Sequence, residues 1–336
     1  MYKIGLIGAG HIGAVHARNI ACHPALTLAA SYSRSSQRRQ AFAVEFGGRA
    51  AHSLEDILDA PDIDAVMIAS STDSHSELLQ RAAHSGKPVF CEKPIDLSLD
   101  EARKAAAVVR DCGARVMMGF NRRYEESHAA VRAQVASGGL GRLQIVQLTS
   151  RGPSRLASVE YLRTSGGFFR DKGVHFFDLA RFITGDEVEE VSAMGAALVH
   201  QDVRDLGDFD TAIVSLRMRG GALCQIDNSR TASYGYDERI EAFGSQGWVE
   251  SCRQPAAAVR RAVGAELASA PFPQTIYERI GGSYYRVIEG FADFIAGHEA
   301  SVPTIEDGLA AQCIAEAAVL SAREGRSVRI DELDPS

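Results

Sequence analysis

In the stretch SGGFFRDKGVHFFDLARFITG, His175 follows Asp171 by four residues, a spacing that puts both on one face of a helix. A histidine titrates near neutral pH and serves as a general base, and a carboxylate one turn away orients the ring and supports its charged form. The same pattern also suits Asp171 as a plain N-cap with a core histidine behind it, and Asp178 stands three residues from Arg181, a spacing for an ion pair. A second charged pair, Glu92-Lys93, follows directly on the apolar run in KPVFCEKP, and Pro94 restricts the backbone of Lys93. A lysine at the end of such a strand can hydrogen-bond a hydroxyl and stabilise the alkoxide that forms as a hydride leaves. The plainer alternative is a surface lysine at a turn.

Such chemistry needs a hydride acceptor, and IGLIGAGHIG supplies a candidate site. Gly8-Ala9-Gly10-His11-Ile12-Gly13 fits G-x-G-x-x-G, follows a predicted strand and opens a predicted helix, the context that gives the motif weight. Gly8 allows the tight turn, Gly10 with His11 and Ile12 lets backbone approach a pyrophosphate, and Gly13 lets the helix pack on the sheet. The second predicted strand ends in Ser31-Tyr32-Ser33-Arg34-Ser35, with Arg38 and Arg39 beyond, and holds no carboxylate for a ribose 2′-hydroxyl. Ser33, Arg34 and Arg38 suit a 2′-phosphate, so the expected cofactor is NAD(P), with NADP or dual use favoured.

The elements that must carry these residues alternate strand and helix over the first third. YKIGLIG, LTLAASYS, IDAVMIAS, KPVFCEKP and RVMMGFN read as strands, separated by helical segments, which predicts a doubly wound parallel sheet over residues 1–120. SSQRRQAFAVEFG ends at Gly47, a helix stop, and Ser53 with Asp56 resembles a capping box. After about residue 121 the pattern changes. GRLQIVQLTSRG, VEEVSAMGAAL, FDTAIVSLRMRG, ALCQIDNSRTAS and RIEAFGSQGWVES alternate apolar and polar residues, which predicts a large, mostly antiparallel sheet in an α/β domain over 121–336. Two closing helices follow, and from Asp171 onward the histidine-bearing stretch reads as a helix with Phe176, Leu179, Ala180 and Ile183 on its apolar face.

With 336 residues the chain is long enough for two domains. Its 46% hydrophobic and 24% charged residues are those of a globular protein, and a net charge of −7 without a basic run argues against nucleic acid or anionic membrane as partner. There is no apolar stretch of membrane-spanning length, and the first residues lack a signal-peptide pattern. The six cysteines are scattered without a C-x-x-C pair, and the histidines form no metal-ligand cluster, so a reducing cytoplasm and no metal are expected.

Five motifs in order, the Gly-rich turn, EKPIDL, GFNRRY, SGGFFRDKGVHFFDLARF and NSRTASYGYDERIEAFGSQG, resemble the glucose-fructose oxidoreductase and inositol dehydrogenase family, above all its bacterial inositol dehydrogenases. The resemblance covers nearly the whole chain. It implies a Rossmann domain, a second α/β domain whose open sheet forms a dimer or tetramer interface, and final helices that pack on the first domain. It also implies catalytic roles for Lys93, Asp171 and His175, with His175 as base at a polyol hydroxyl. Ser70, Thr72, Asp73 and His75 would lie near the nicotinamide ribose with Glu92, and Asn121, Arg122, Arg123, Tyr234 and Tyr236 near the polyol. The chain departs from the family pattern at three places. Ser33 stands where an acid is typical, Lys172-Gly173 replaces an apolar residue and a threonine, and Gly152 in SRGP replaces an aspartate. The first bears on NAD against NADP, the others on which polyol is preferred. A sugar or sugar-derivative dehydrogenase is the neighbouring possibility, and a non-catalytic nucleotide sensor on the same fold a more distant one.

Overall fold

The structure, a computed structural model, describes every residue except Ser154, Glu299, Ala300 and 334–336. By internal contacts it divides into two units. The first comprises Met1–Asn121 and Ser283–Gln312, the second Arg122–Gly282 and Cys313–Ser336.

The first unit is built on six parallel strands: β1 (Tyr2–Ile7), β2 (Leu26–Tyr32), β3 (Arg49–Ala50), β4 (Ala65–Ile68), β5 (Val89–Cys91) and β6 (Val116–Met118). They lie in the order β3-β2-β1-β4-β5-β6, so the winding reverses between β1 and β4, where such sheets bind ligands beyond their carboxyl ends. Every residue of β4 and β5 is buried, as a sheet covered on both faces requires. The covering helices are α1 (His11–Cys22), α2 (Ser36–Phe46), the single turn α3 (Glu55–Leu58), α4 (His75–Ala83) and α5 (Leu99–Asp111). Ser35 caps α2 and Gly47 ends it at φ +80°. Before α3, Ser53 and Asp56 exchange side-chain to backbone hydrogen bonds in the expected reciprocal box.

In the second unit, α6 (Glu126–Ala136) precedes β7 (Leu143–Arg151), then α7 (Val159–Thr164), α8 (Val174–Thr184), β8 (Val188–Ala196), α9 (Gln201–Asp205), β9 (Thr211–Met218), β10 (Leu223–Ser229), β11 (Asp237–Gly244) and β12 (Gly247–Glu250). A small hairpin, β13 (Arg260–Val263) with β14 (Glu266–Ser269), comes before α10 (Ile276–Ala296); α10 from Ser283 onward and α11 (Ile305–Glu324) up to Gln312 belong to the first unit, and β15 (Val328–Arg329) follows in the second. The seven-stranded sheet runs β12-β11-β7-β10-β9-β8-β15. All its pairs are antiparallel except β7 with β10, so the expected mostly antiparallel sheet is present with one parallel seam. One face buries Val146, Leu148, Val214, Leu216, Ile226 and Ile240 beneath helices that include α6 and α8. None of the described helices is long and apolar enough to cross a membrane.

Candidate active site

The Gly-rich turn joins β1 to α1 in the predicted way, and each glycine has its own reason. Gly8 has φ +124°, and a Cβ there would meet the Ala69 carbonyl oxygen at 2.3 Å. A Cβ on Gly13 would meet the Gly8 carbonyl oxygen at 2.0 Å. Gly10 is different: a Cβ there would meet nothing within 4 Å. Its open side and its extended backbone at the N-cap of α1 leave the first helical amides, from His11 and Ile12 onward, facing outward to receive an anion. The residues present therefore fit the pyrophosphate of a dinucleotide.

At the end of β2, Ser33 is half-buried while Arg34 and Arg38 are exposed, and no acid stands among them. Arg39 Nη1 donates to the Ser33 carbonyl oxygen at 3.3 Å. After β4, Thr72 opens a short 3₁₀ turn, and the Ser70 and Ser74 hydroxyls are 2.7 Å apart.

Lys93 follows β5, on the same carboxyl edge of the sheet as the Gly-rich turn, and its peptide bond to Pro94 is cis. Glu92 and His75, expected at the cofactor, are used internally. Glu92 is buried, and His16 Nε2 donates to its Oε1 at 2.7 Å. The ring of His75 lies 2.8 Å by Nδ1 from the Pro94 carbonyl oxygen and 3.1 Å by Nε2 from that of Ser70. Burial holds the pKa of His75 below its ordinary value. Asn121 is also turned inward, its Nδ2 donating to Ser283 Oγ at 2.9 Å.

In the second unit, the expected helix from Asp171 begins instead as a π-helical turn, Phe169–Gly173, before α8. Such a widened turn recurs at functional sites. It carries Asp171, whose Oδ1 accepts from the Tyr161 hydroxyl at 2.8 Å, and leads directly into His175, which is 8% exposed. Gly173 is small because the Phe177 ring packs against it; a Cβ would stand 3.0 Å from that ring. Asp178 forms a two-point pair with Arg123, Nε to Oδ2 at 2.8 Å and Nη2 to Oδ1 at 2.5 Å, while Arg181 binds Glu187. Arg123 thus serves the packing of α8, and its guanidinium also lies over Phe182.

Tyr236 was expected at the polyol but is 2% exposed. Its hydroxyl donates to Glu238 Oε2 at 2.9 Å and accepts from Arg122 Nη2 at 3.1 Å, and burial drives its pKa upward. Arg122, Glu238, Glu125, His128 and Arg279 form a buried network around it; Arg279 bridges Glu125 Oε1 and the Glu238 carbonyl, both at 3.0 Å. Burial opposes the charge on Glu238, but Arg122, His128 and Arg279 outweigh it and hold the carboxyl below the usual range. Tyr234 is 41% exposed, its hydroxyl donating to Asp237 at 3.0 Å. Sequence reasoning missed His16. The signal was available: Gly13, His16, Ala17 and Ile20 form the buried stripe of α1, and a histidine on such a stripe implies a buried partner. No group of three or more metal-ligating side chains occurs among the described residues.

Fold and turn together define a dinucleotide-binding oxidoreductase. Residues 2–120 match the oxidoreductase family with the NAD-binding Rossmann fold, and residues 128–250 match the GFO/IDH/MocA C-terminal domain. The chain is 39% identical to an inositol 2-dehydrogenase of Rhizobium meliloti, over 98% of this chain and 99% of that protein. The crystal structure of a myo-inositol dehydrogenase from Corynebacterium glutamicum superposes with a TM-score of 0.92 at 38% identity, covering 100% of both chains. That of a scyllo-inositol dehydrogenase from Lactobacillus casei with bound NAD(H) and scyllo-inositol gives 0.90 at 26% identity, over 98% of this chain and 99% of that one. The chain belongs to the GFO/IDH/MocA oxidoreductase family.

Proposed function

We propose that this protein is an NAD(P)-dependent dehydrogenase that oxidises one secondary ring hydroxyl of an inositol to a ketone. The observation that carries the reading lies within the first unit. Lys93 and the Gly8–Gly13 turn share the carboxyl edge of one parallel sheet, where nucleotide and substrate meet in such folds. The names of the similar proteins, inositol dehydrogenases in each case, supply the substrate class.

In this reading His175 takes the hydroxyl proton while the adjacent C–H bond breaks. Lys93 donates a hydrogen bond to the same oxygen and stabilises its developing negative charge. Asp171 orients the substrate and supports the charge that His175 acquires. The nicotinamide, when bound, accepts the hydride, and a keto-inositol remains. Asn121 and Arg123 are bonded internally to Ser283 and Asp178, which leaves Tyr234 as the exposed candidate for a polyol contact. Ser33, Arg34 and Arg38 favour NADP or dual use, because guanidinium groups match a 2′-phosphate and no acid is present to bind a 2′-hydroxyl. The scattered cysteines, without a C-x-x-C pair, fit a reducing cytoplasm. We also infer a homo-oligomer, a dimer or tetramer, built on the open face of the seven-stranded sheet.

One observation favours a different ring as preferred substrate. Gly152 has φ +117°, and a Cβ there would stand 3.0 Å from the Tyr236 Cα, so the aspartate that the resemblance leads one to expect would be strained in this backbone. A polar group missing from hydroxyl recognition changes the preferred isomer steeply.

The test is the initial rate of nicotinamide reduction with myo-inositol, run in parallel with NAD and NADP. Turnover with either supports the reading, and the faster cofactor decides the role of Ser33 and Arg34. No turnover across inositol isomers, aldopyranoses and sugar acids overturns it. His175→Ala is expected to lower kcat by about 10²–10⁴-fold with cofactor affinity retained, as loss of a general base does. A nucleotide sensor would be insensitive to that change.

A further inference from the structure

The turn that carries Lys93 is bonded on both sides by buried histidines that come from different helices. On the N-terminal side, His16 of α1 is fully buried and donates to Glu92 Oε1 at 2.7 Å. Its ring stands edge-on to Phe90, 5.2 Å between centroids, so packing fixes its direction. The other carboxylate oxygen of Glu92 accepts from the Lys93 backbone amide at 3.3 Å. Space around that carboxylate is exhausted: a Cβ on Gly119 would come within 3.0 Å of it. On the C-terminal side, His75 at the start of α4 is 1% exposed, with Nδ1 2.8 Å from the Pro94 carbonyl oxygen. The next residue of α4, Ser76, donates to Asp96 Oδ2 at 2.5 Å, and Gln312 donates to the Asp96 carbonyl at 2.9 Å.

We propose that His16 and His75 are positioning residues that clamp the Glu92–Pro94 turn from its two sides and so fix where the Lys93 amine is presented. The inference rests on the reading of Lys93 as the group that polarises the reacting hydroxyl. Each histidine sits where a core would otherwise take an apolar side chain, and what offsets burial of the polar ring is its bond to the turn, from His16 by Nε2 and from His75 by Nδ1. What those bonds hold is the backbone on either side of Lys93. The lysine has a long, flexible stem, so the placement of its backbone is the part of its geometry that the protein can set in advance. α1 is also the helix whose N-terminus faces the dinucleotide, so the residue holding Glu92 belongs to the element that holds the cofactor.

Two variant pairs test this. His75→Leu removes the ring N–H while filling the space, and His75→Asn keeps a donor; His16→Leu and His16→Gln do the same at the other side. Two readouts are taken. One is kcat with the nicotinamide cofactor and the polyol turned over by the wild type, alongside cofactor Kd by fluorescence titration. The other is amide hydrogen exchange in the peptide spanning Glu92–Leu97, which needs no substrate and stays informative if the inositol reading fails. The leucine variants are expected to speed exchange in that peptide at least tenfold and to lower kcat by about 10–100-fold, with cofactor Kd within about twofold, as a displaced but intact catalytic group does. The amide variants are expected to recover most of both losses. Equal behaviour of the leucine and amide variants overturns the proposal. So does exchange that rises equally in β1 and β4, because the histidines would then support the unit as a whole. A wild type without inositol turnover sinks the substrate reading but not the clamp, which exchange alone then decides.

Discussion

Lys172 donates from Nζ to the Gly152 carbonyl oxygen at 2.7 Å and stands 6.0 Å from the centroid of the Tyr236 ring. Two of the departures from the family pattern, Lys172 and Gly152, are therefore one local feature: the amine that replaces an apolar side chain bonds the backbone of the glycine that replaces an acid. Burial, with repulsion from Arg122 added, brings the Lys172 pKa down from 10.5 to about 7. An unfolded chain keeps this amine protonated well above that pH. Between about 7 and 10.5 the unfolded state binds the extra proton, so Lys172 makes stability rise with pH through that window, and its burial is most costly below it. Lys172→Met is accordingly expected to be more stable than the wild type at pH 7, by on the order of 1 kcal/mol after loss of the Gly152 bond. The gain should shrink toward zero by about pH 10. Urea denaturation of both proteins at the two pH values measures it. A gain that does not change with pH would mean that the amine does not titrate in this window.

At the scale of elements, the turn between β1 and α1 separates glycines required by the fold, Gly8 and Gly13, from Gly10, which the packing leaves open. Gly13→Ala would drive a methyl into the Gly8 carbonyl and should lower stability by roughly 1–3 kcal/mol, as overpacking does. Gly10→Ala meets open space and should leave the melting temperature within about a degree while weakening cofactor binding at least tenfold, because only a bound pyrophosphate would meet the new methyl. Thermal melts with and without cofactor separate the two effects. This contrast also explains what was legible in the sequence. The Gly-rich turn and the β5 edge depend on backbone geometry within a few residues, and the pattern exposes them; the π-helical turn at Asp171 was not exposed in that way. The parallel seam between β7 and β10 joins strands about seventy residues apart, and nothing local distinguishes it from an antiparallel neighbour. Helix α6 escaped because it is only weakly amphipathic and its cap, Glu125, accepts from the His128 amide in place of a more usual serine or aspartate. Glu92, His75, Arg123 and Tyr236 were recognised as polar residues near a site. Whether such a side chain turns outward to a ligand or inward to a partner depends on residues such as His16, Asp178 and Arg122, remote in sequence and brought near by the fold.

For the whole molecule, the unsatisfied feature is the second face of the seven-stranded sheet. Register aligns Leu223 with Ile145, Ile145 with Phe243 and Phe243 with Trp248, so four large apolar side chains form one row across β10, β7, β11 and β12. All four are exposed, Trp248 to 59%. Farther along the same strands the row gives way to a polar network, with Thr149 and Arg151 both donating to Asp227 at 2.8 Å and Arg239 donating to Asp237 at 3.0 Å. An apolar centre bordered by paired polar groups is the composition of an interface, whereas a solvated sheet face alternates with polar residues throughout. In the proposed oligomer a second copy of the same face would close the contact under two-fold symmetry, which avoids open-ended association. Two such sheets pack about 10 Å apart and can bury the roughly 1,600 Å² of a stable interface. Phe243 lies inside the row, between Ile145 and Trp248, so Phe243→Glu would place a charge at the centre of the contact and should weaken association by at least about 2 kcal/mol. The wild type is expected to sediment as a dimer or tetramer at micromolar concentration, and the variant to dissociate to smaller species while keeping its far-ultraviolet circular dichroism. A wild type that is monomeric at that concentration would leave the apolar row without a self-partner and remove the oligomer from the reading.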